Sequence, residues 1–520
     1  MLSRLLSRFG AKAPSSDASP SPPGAAAPTA ATPSDVLHTW IRQDTFPAYT
    51  LEELSDDPLR LEIAELLATR GDAQRLQQAL GELFSRPAPT AVDRMLLADA
   101  LRARGSSEQA EAALHEAAGD DGRMGARACA RLADMLVKRG QFAHAQPFAE
   151  CAVARAPESI SARITLADVL NAQGPAAEAI AQYRKAISLN PELPDVYIML
   201  GLALLLEGDL REGFRHWGRA EVLGGEYQRM SAAPAWDGSP LGGQRLLILT
   251  NYGMGDVVQI VRFVAQLRER EPRARFCLHA PVPLAGLMAD TGLFERVHVG
   301  SIDQDDFDRQ VTLTHLPLYG DLDGTGLRRC EHYLKVPPAR LAQAAGWLPP
   351  RRYRRLRVGL RWAGLPSRFF DALRSVPFDL LRPLFEVEGV DWVALVEDSQ
   401  VLAALNGHPM FGVAEHLRDF GDTAALMSHL DLVISVDTAV VHVAAGLNVP
   451  VWLLARAEPE WRWGRTGDRT PWYGAVRIFR HPGPPGRTDW SAMVREVAAA
   501  LTQRVAQAGA GEQRASPRVQ

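Results

Sequence analysis

Glycines return at a nearly constant interval through the first half of the chain. Five of them are separated by 34 or 35 residues: Gly71, Gly105, Gly140, Gly174 and Gly208. A small residue stands five positions after each of the last four: Ala110, Ala145, Ala179 and Gly213. Glycine permits a sharp turn, and small side chains let two helices approach closely. The period therefore predicts a stack of helix–turn–helix hairpins.

The clearest unit is "SARITLADVLNAQGPAAEAIAQYRKAISLNP", with apolar residues at helical spacing on both sides of Gly174 and a proline, Pro191, at its end. The pattern resembles the tetratricopeptide repeat. Good units lie between 126 and 225 and degenerate ones between 57 and 125, so we expect the array to span 36–230. Such arrays commonly hold a protein or peptide on a concave surface. The alternative is a solenoid that only packs on itself.

Composition limits the remaining function classes. A length of 520 residues predicts more than one domain. The net charge of −4 and pI near 6.4 give no reason to expect nucleic acid as a partner.

Four cysteines without a CxxC motif argue against a disulfide framework and favour the cytoplasm. No apolar run reaches the roughly 20 residues of a membrane span. Residues 1–35, rich in Pro, Ala and Ser, and residues 506–520 are predicted to be disordered tails.

From residue 245 the pattern changes to short apolar runs that alternate with amphipathic ones. "RLLILT", "RFCLHA" and "RVHVG" indicate strands, and a second set begins with "LRVGLRWAG" near residue 356. Alternation of this kind predicts parallel sheets covered by helices. We expect two Rossmann-like domains, at 240–350 and 351–505, with a ligand cleft beyond the carboxyl ends of their strands.

The stretch "NYGMGDVVQ" at 251–259 lies where a strand turns into a helix. It is a poor dinucleotide fingerprint because Val258 stands in the place of the third glycine. Gly253 and Gly255 still allow a ligand to approach the backbone. Asp256 has two interpretations: a carboxylate that caps the helix, or a general base at the floor of the cleft.

A second stretch, "ISVDTAVVHVAAGLNVPVW" at 434–452, also joins a strand to a helix. Thr438 and the first N–H groups of that helix, which begins near Ala439, could hold a diphosphate without a metal ion. Asp437 would repel an anion, so it more plausibly orients the loop or caps the helix. His442, one turn into the helix, either packs in the core or faces the ligand.

Four segments together carry a family resemblance: "GMGDVVQIVRF", "RWAG…RS", "DFGDTAALMSHLDLVISVDTAVVHVAAGLNVPVW" and "PEWRWG…PWY". They resemble the bacterial tetratricopeptide-repeat glycosyltransferases, whose catalytic half is similar to glycosyltransferase family 9, the heptosyltransferase-like enzymes of the GT-B fold. The match covers about 230 to 505. The expected fold class is therefore α + α/β, with a helical array followed by a GT-B fold of two Rossmann-like domains.

The resemblance implies an inverting, metal-independent transfer from a nucleotide sugar, with no cofactor. It makes Asp256 the catalytic base. The donor-binding residues would be Arg374, Ser375, Asp437, Thr438, Ala439 and His442. Acceptor contact or loop support would come from Gly253, Gly255, Gln259 and Arg262. No metal ligand is predicted, since the acidic run "SIDQDDFDRQ" is interpreted as a solvated loop.

The chain departs from the family pattern in "WAGLPSRFFDALRS", where Leu365 replaces an amide and Phe370 is apolar. The identity of the donor stays open for that reason, as does a degenerate site. Three tryptophans, Trp362, Trp461 and Trp463, could stack on a base or sugar, or could fill the surface between the domains.

The first functional hypothesis is sugar transfer to hydroxyl groups of a protein held by the array; by family analogy the acceptor could be flagellin or another surface protein. Gripping an acceptor raises the local concentration of its hydroxyls beside the base. One alternative is transfer to a lipopolysaccharide or lipid-linked acceptor, with the array recruiting other proteins. Another is a non-catalytic interaction scaffold.

Overall fold

The computed structural model describes residues 90–103, 105–224, 231–250, 252–302, 307–323, 326–327, 332–364, 371–396 and 410–515. The predicted tail at 1–35, the array units before residue 90, with Gly71, and the loop 365–370 lie outside these ranges. The chain divides into two compact units. One comprises residues 1–135 and 147–157, and the other comprises residues 136–146 and 158–520.

Eight helices fill the described part of the array, as the repeat predicts. They are α1 (Ala91–Ala103), α2 (Ser107–Ala118), α3 (Arg123–Lys138), α4 (Phe142–Arg155), α5 (Ile160–Gln173), α6 (Ala176–Leu189), α7 (Pro194–Leu206) and α8 (Leu210–Gly224). The periodic glycines have positive φ angles, 77° at Gly105, 70° at Gly140, 129° at Gly174 and 86° at Gly208. Since few other residues adopt that backbone region, this explains why glycine recurs at each turn.

Small residues mark the places where paired helices approach most closely. Ala110 and Ala179 are almost completely buried. A Cβ atom on Gly213 of α8 would lie 2.6 Å from Leu205 Cγ of α7. The small-residue positions of the repeat are therefore required by helix packing, which confirms the tetratricopeptide-like array.

The first unit brings two distant cysteines together. Cys129 on α3 and Cys151 on α4 are free thiols whose Sγ atoms lie 3.2 Å apart. Burial, together with the neighbouring Cys151, raises the pKa of Cys129 to about 12. The two cysteines are thus close in space although they are 22 residues apart in the sequence, but they do not form a disulfide bond.

The second unit contains the first of two parallel sheets. Its strands are β1 (Arg245–Leu249), β2 (Arg275–His279), β3 (Arg296–His298) and β4 (Arg309–Thr312), in the order β3-β2-β1-β4. Its helices are α9 (Met254–Ile260), α10 (Arg262–Arg270) and α11 (Val282–Asp290). Strand β1 is buried along nearly its whole length, as a central parallel strand requires. This sheet and its helices are called the first lobe.

The second sheet has six parallel strands in the order β10-β9-β8-β5-β6-β7. They are β5 (Leu356–Arg361), β6 (Val390–Ala394), β7 (Met410–Phe411), β8 (Leu432–Val436), β9 (Val451–Ala455) and β10 (Val476–Arg480). The helices that follow the first lobe are α12 (Pro338–Ala345), α13 (Asp371–Arg374), α14 (Arg382–Phe385), α15 (Phe420–Met427), α16 (Ala439–Gly446) and α17 (Ser491–Ala515). This sheet and the helices from α13 onward are called the second lobe. Two parallel sheets after a helical array confirm the predicted fold class.

Several details differ from the sequence reading. The amphipathic run "VVQIVRFVAQLRER" at 257–270 predicts one helix, but it is divided at Val261 into α9 and α10. The run "RQVTLTHLP" from residue 309 predicts a strand, which ends at Thr312 and is followed by a 3₁₀ helix, Leu313–Tyr319. Helix α17 continues to Ala515, so the tail predicted from residue 506 begins as helix. The predicted boundaries between array and lobes stay predictions.

Helix α8, the last of the array, packs into the core of the two lobes. Phe214 and Trp217 on α8 are buried in one hydrophobic cluster with residues of both sheets. The Trp217 ring lies 5.0 Å from Tyr252 of the first lobe and 6.2 Å from Trp461 of the second. Trp461 is thereby used for packing, and we call these rings, with Trp472, the aromatic seam.

The other two tryptophans are also buried. Trp362 packs against Phe378, and Trp463 stacks beside His442. This placement favours the packing interpretation over stacking on a ligand. Within the described ranges, every helix is too short or too polar to cross a bilayer.

Candidate active site

A cavity of about 500 Å³ lies between the two lobes at the carboxyl ends of β1, β5 and β8. In each sheet the strand order reverses beside these strands, between β1 and β4 and between β5 and β8. Crevices at such points are where open parallel sheets bind ligands. Eight of the site residues predicted from the sequence line this cavity: Gly253, Gly255, Asp256, Arg374, Asp437, Thr438, Ala439 and His442. Ser375, Gln259 and Arg262 are not among the lining residues.

Asp256 occupies the first turn of α9, facing the cavity. The N-cap of α9 is Gly253, and the N–H of Asp256 donates to the Gly253 carbonyl at 2.9 Å. The cap interpretation of Asp256 is therefore wrong. Its side chain is 19% exposed, and Oδ1 forms an ion pair with Arg462 Nη2. A carboxylate that is partly desolvated and reachable from the cavity has the placement of a general base.

Arg462, from the loop that follows β9, is a site residue that the sequence analysis missed. Its three nitrogens have different partners: Nη2 binds Asp256, Nη1 binds Glu460, and Nε donates to Gln259 Oε1 at 2.5 Å. Burial alone would lower the pKa of the guanidinium. The carboxylates of Glu460, Asp256 and Asp437 outweigh burial and raise the pKa of Arg462, so it stays charged.

Glu460 lies behind Arg462, away from the cavity lining. Its Oε2 accepts the backbone N–H of Arg462 at 2.8 Å, while Oε1 pairs with the guanidinium. Burial raises the pKa of Glu460 to about 7; Arg462 opposes this rise and Asp437 adds to it. The carboxyl group therefore changes its charge near neutral pH.

Gln259 and Arg262 prove to be supporting residues beneath the cavity. Both are essentially inaccessible to solvent. Arg262 Nη1 donates to the Trp472 carbonyl at 2.5 Å, and its guanidinium lies 4.4 Å from the centre of the Tyr473 ring. These contacts fix α9 and α10 against the loop of the second lobe, which favours loop support over acceptor contact.

Arg374 lines the cavity from the second lobe, and Ser375 follows it in the sequence. Arg374 ends α13, and its Nη1 donates to the Asp437 carbonyl at 3.3 Å. Ser375 Oγ accepts the N–H of Gly364 at 3.1 Å, which ties it to the loop after β5. Arg374 thus brings positive charge to the cavity, whereas Ser375 holds a loop that lines it.

Helix α16 points its N-terminus at the same space. Thr438 is its N-cap residue, in extended backbone, and Ala439 begins the helix. The first-turn N–H groups of a helix bind anions well because they lack partners within the helix. Together with Arg374, this terminus forms the positive side of the cavity.

His442 both packs in the core and faces the cavity. It contributes to the cavity wall, but it is 3% exposed and its Nδ1 lies 2.9 Å from the Tyr473 hydroxyl. Burial, followed by the charges of Arg462 and Arg262, lowers the pKa of His442 well below its usual value. The ring is therefore neutral at neutral pH and brings no positive charge to a diphosphate.

The first lobe packs closely against the second at Gly255. A Cβ atom on Gly255 would lie 2.8 Å from His442 Cδ2 and 3.7 Å from Ala439 Cα. Helices α9 and α16 pack directly against each other there. Glycine is needed at this position because any side chain would meet the opposite lobe.

As a whole, the site brings the Asp256 carboxylate of the first lobe and a cationic, anion-binding surface of the second lobe to the same cavity. That arrangement can remove a proton from a hydroxyl group while it stabilises a departing anion. In the part of the chain that the structure describes, no three His, Cys, Asp or Glu side chains are grouped to hold a metal ion.

Two segments of the chain match family models. Residues 167–208 match the TPR repeat, and residues 399–479 match glycosyltransferase family 9 (heptosyltransferase). A relative, Protein FlbA of Caulobacter vibrioides, is 26% identical over 275 residues, which cover 47% of this chain and 44% of FlbA. The matched region therefore spans less than half the length of that relative.

Two solved structures are similar at lower levels. A glycosyl transferase family 9 structure from Veillonella parvula is 14% identical, covers 46% of this chain and 86% of its own, and has a TM-score of 0.33. MamA from MSR-1 is 19% identical, covers 32% of this chain and 99% of its own, and has a TM-score of 0.26. Residues 167–208 of the chain are thus similar to tetratricopeptide repeats and residues 399–479 to glycosyltransferase family 9, which confirms the resemblance drawn from its sequence.

Proposed function

We propose that the protein is an inverting glycosyltransferase that moves a sugar from a nucleotide-sugar donor to a hydroxyl group of a protein acceptor. The main support for this proposal is the set of residues that line the cavity. Asp256 of the first lobe lines the same cavity as Arg374 and the N-terminus of α16 in the second lobe. An acid–base group and an anion-binding surface thus border one space of about 500 Å³, which suits a small organic donor.

In this mechanism Asp256 accepts the proton of the acceptor hydroxyl. The hydroxyl oxygen forms a bond to the anomeric carbon from the side opposite the leaving group. The bond between that carbon and the diphosphate oxygen breaks, and the nucleoside diphosphate leaves with the bonding electrons. One displacement of this kind inverts the configuration of the sugar.

Charge on the leaving diphosphate is balanced by the protein itself. Arg374 and the first-turn N–H groups of α16 are the groups that face it, and Thr438 can add a hydroxyl donor. Preorganised donors of this kind stabilise charge that develops in a transition state. We therefore expect transfer to proceed without an added metal ion.

The acceptor is a protein because the matched repeats suit protein binding. Helices α5 to α8 belong to the same compact unit as the two lobes. An acceptor held by them would keep its hydroxyl groups near the cavity, which raises their effective concentration.

The test is transfer by the purified full-length protein. Proteins and lipids co-expressed with it are incubated with a panel of nucleotide sugars, with and without a chelator, and analysed by mass spectrometry. A mass increment of one sugar on a protein, unchanged by the chelator, is expected. An increment confined to lipid would overturn the protein acceptor, and a complete absence of transfer and donor hydrolysis would favour a scaffold.

A further inference from the structure

Arg462 connects the proposed base to the opposite lobe. Asp256 belongs to α9 of the first lobe, whereas Arg462 and Glu460 belong to the loop between β9 and β10 of the second. The Arg462 side chain is only 11% exposed, and its partners are the side chains of Asp256, Glu460 and Gln259. Buried cations with this many partners are held in one position, because breaking any contact leaves a buried polar group unpaired.

We propose that Arg462 is a positioning residue that fixes the Asp256 carboxylate across the cleft, and that Glu460 controls how strongly Arg462 neutralises that carboxylate. The inference rests on the proposed role of Asp256 as the base. The orientation and the proton affinity of Asp256, in the first lobe, would then depend on Arg462 and Glu460 in the second.

The geometry requires arginine rather than lysine. The guanidinium is planar and directs its N–H groups along fixed axes, so one side chain can serve three acceptors at once. An ammonium group carries the same charge, but it lacks the planar arrangement of diverging N–H donors. Lysine at this position could pair with one carboxylate but could not hold Asp256, Glu460 and Gln259 in their present places.

Glu460 provides the control because it shares the guanidinium with Asp256. The charged groups that act on Glu460 are Arg462, Asp437 and Arg456. When Glu460 is ionised, it competes with Asp256 for the positive charge of Arg462, so that Arg462 neutralises Asp256 less. When Glu460 is protonated, one competing carboxylate is removed, Arg462 stabilises the ionised form of Asp256 more strongly, and Asp256 becomes a weaker base.

The rate of transfer should depend on pH through the charge of Glu460. Because burial raises the pKa of Glu460 to about 7, its ionised form prevails above that pH and its neutral form below. Transfer should therefore become faster as the pH rises through about 7. In Glu460→Gln, which is permanently neutral, this part of the profile should disappear, and the rate should stay near the low-pH rate of the wild type.

The experiment compares the full-length wild type with Arg462→Lys and Glu460→Gln, using the nucleotide sugar identified in the transfer assay. Steady-state rates are measured from about pH 6 to about pH 9. Arg462→Lys should lower kcat about 100-fold, since small misplacements of reacting groups cost that much, while the KM for the donor changes little. Arg477→Lys, at a half-exposed position on β10, is the matched control and should behave like the wild type.

The outcomes separate the inference from the proposed function. If Asp256→Asn retains transfer, the base assignment fails and the inference fails with it. If Asp256→Asn is inactive but Arg462→Lys keeps its kcat, or Glu460→Gln keeps the rise near pH 7, only the inference is overturned. Should Arg462→Lys not fold, the profile of Glu460→Gln decides, because the amide keeps an oxygen for the Arg462 backbone N–H.

Discussion

At the scale of single residues, Gly255 lies where helix α9 of the first lobe packs closely against helix α16 of the second. A Cβ atom there would lie 2.8 Å from the His442 ring, which is itself held by Tyr473 and Trp463. We therefore expect Gly255→Ala to reduce the free energy of unfolding by about 1–3 kcal/mol, the usual cost of overpacking. Urea denaturation measures the change.

Gly243→Ala is the control for this prediction. Gly243 lies in the same lobe, and an added Cβ would meet no atom within 4 Å. Its unfolding free energy should stay within about 0.5 kcal/mol of the wild type. Equal stability of the two variants would show that the lobes do not meet at Gly255 as described.

Residue patterns predicted the two halves of the site to different extents. Asp256 and the Asp437–Ala439 turn could be found because each follows a strand and begins a helix, a local signal. Arg462 could not, since its partner Asp256 lies 206 residues away in the sequence and nothing local marks their contact. The neutral state of His442 also depends on burial and on distant arginines, which a helical pattern does not reveal.

At the scale of elements, helix α8 belongs as much to the lobes as to the array. Trp217 is 4% exposed and contacts Tyr252 and Trp461 in the aromatic seam. We expect Trp217→Ala to lower stability by about 3–5 kcal/mol, because it leaves a cavity in a shared core. The melting transition of the lobes and of the last repeats should shift together, which calorimetry and near-ultraviolet circular dichroism can follow.

A substitution on the opposite side of the same helix tests whether the seam is responsible. Val222 of α8 is 47% exposed, so Val222→Ala should change stability by less than about 0.5 kcal/mol. If Trp217→Ala were as mild as Val222→Ala, the helix would not be part of the core of the lobes.

Elements with strong periodicity were predicted well, and weakly patterned ones were not. Within the described residues, the four turns at the periodic glycines and the buried strands β1 and β8 lie where the sequence predicts them. Strand β10 was missed because Arg477 and Arg480 interrupt its apolar residues. Two residues of β7 are too short a pattern to detect.

At the scale of the whole molecule, the second unit joins the last repeat helices to both lobes through one core. A deletion of all the repeats would remove Phe214 and Trp217 from that core, so it would test folding rather than acceptor binding. Point variants that leave α8 intact are therefore the appropriate way to separate acceptor recognition from chemistry.

We propose that the two walls of the cavity have different tasks, with proton removal at Asp256 and donor binding at Arg374. Loss of one charged hydrogen bond to a phosphate costs about 1.5–3 kcal/mol, which corresponds to a roughly 10- to 100-fold weaker donor affinity. Asp256→Asn removes the base but keeps the shape of the side chain.

The most direct test measures donor affinity and sugar transfer in the same samples of Asp256→Asn and Arg374→Ala, with folding checked by circular dichroism. We expect Asp256→Asn to bind the nucleotide sugar as tightly as the wild type does but to transfer nothing, and Arg374→Ala to bind it about 10- to 100-fold more weakly. Transfer by a folded Asp256→Asn, or unchanged donor affinity in Arg374→Ala, would contradict this proposal.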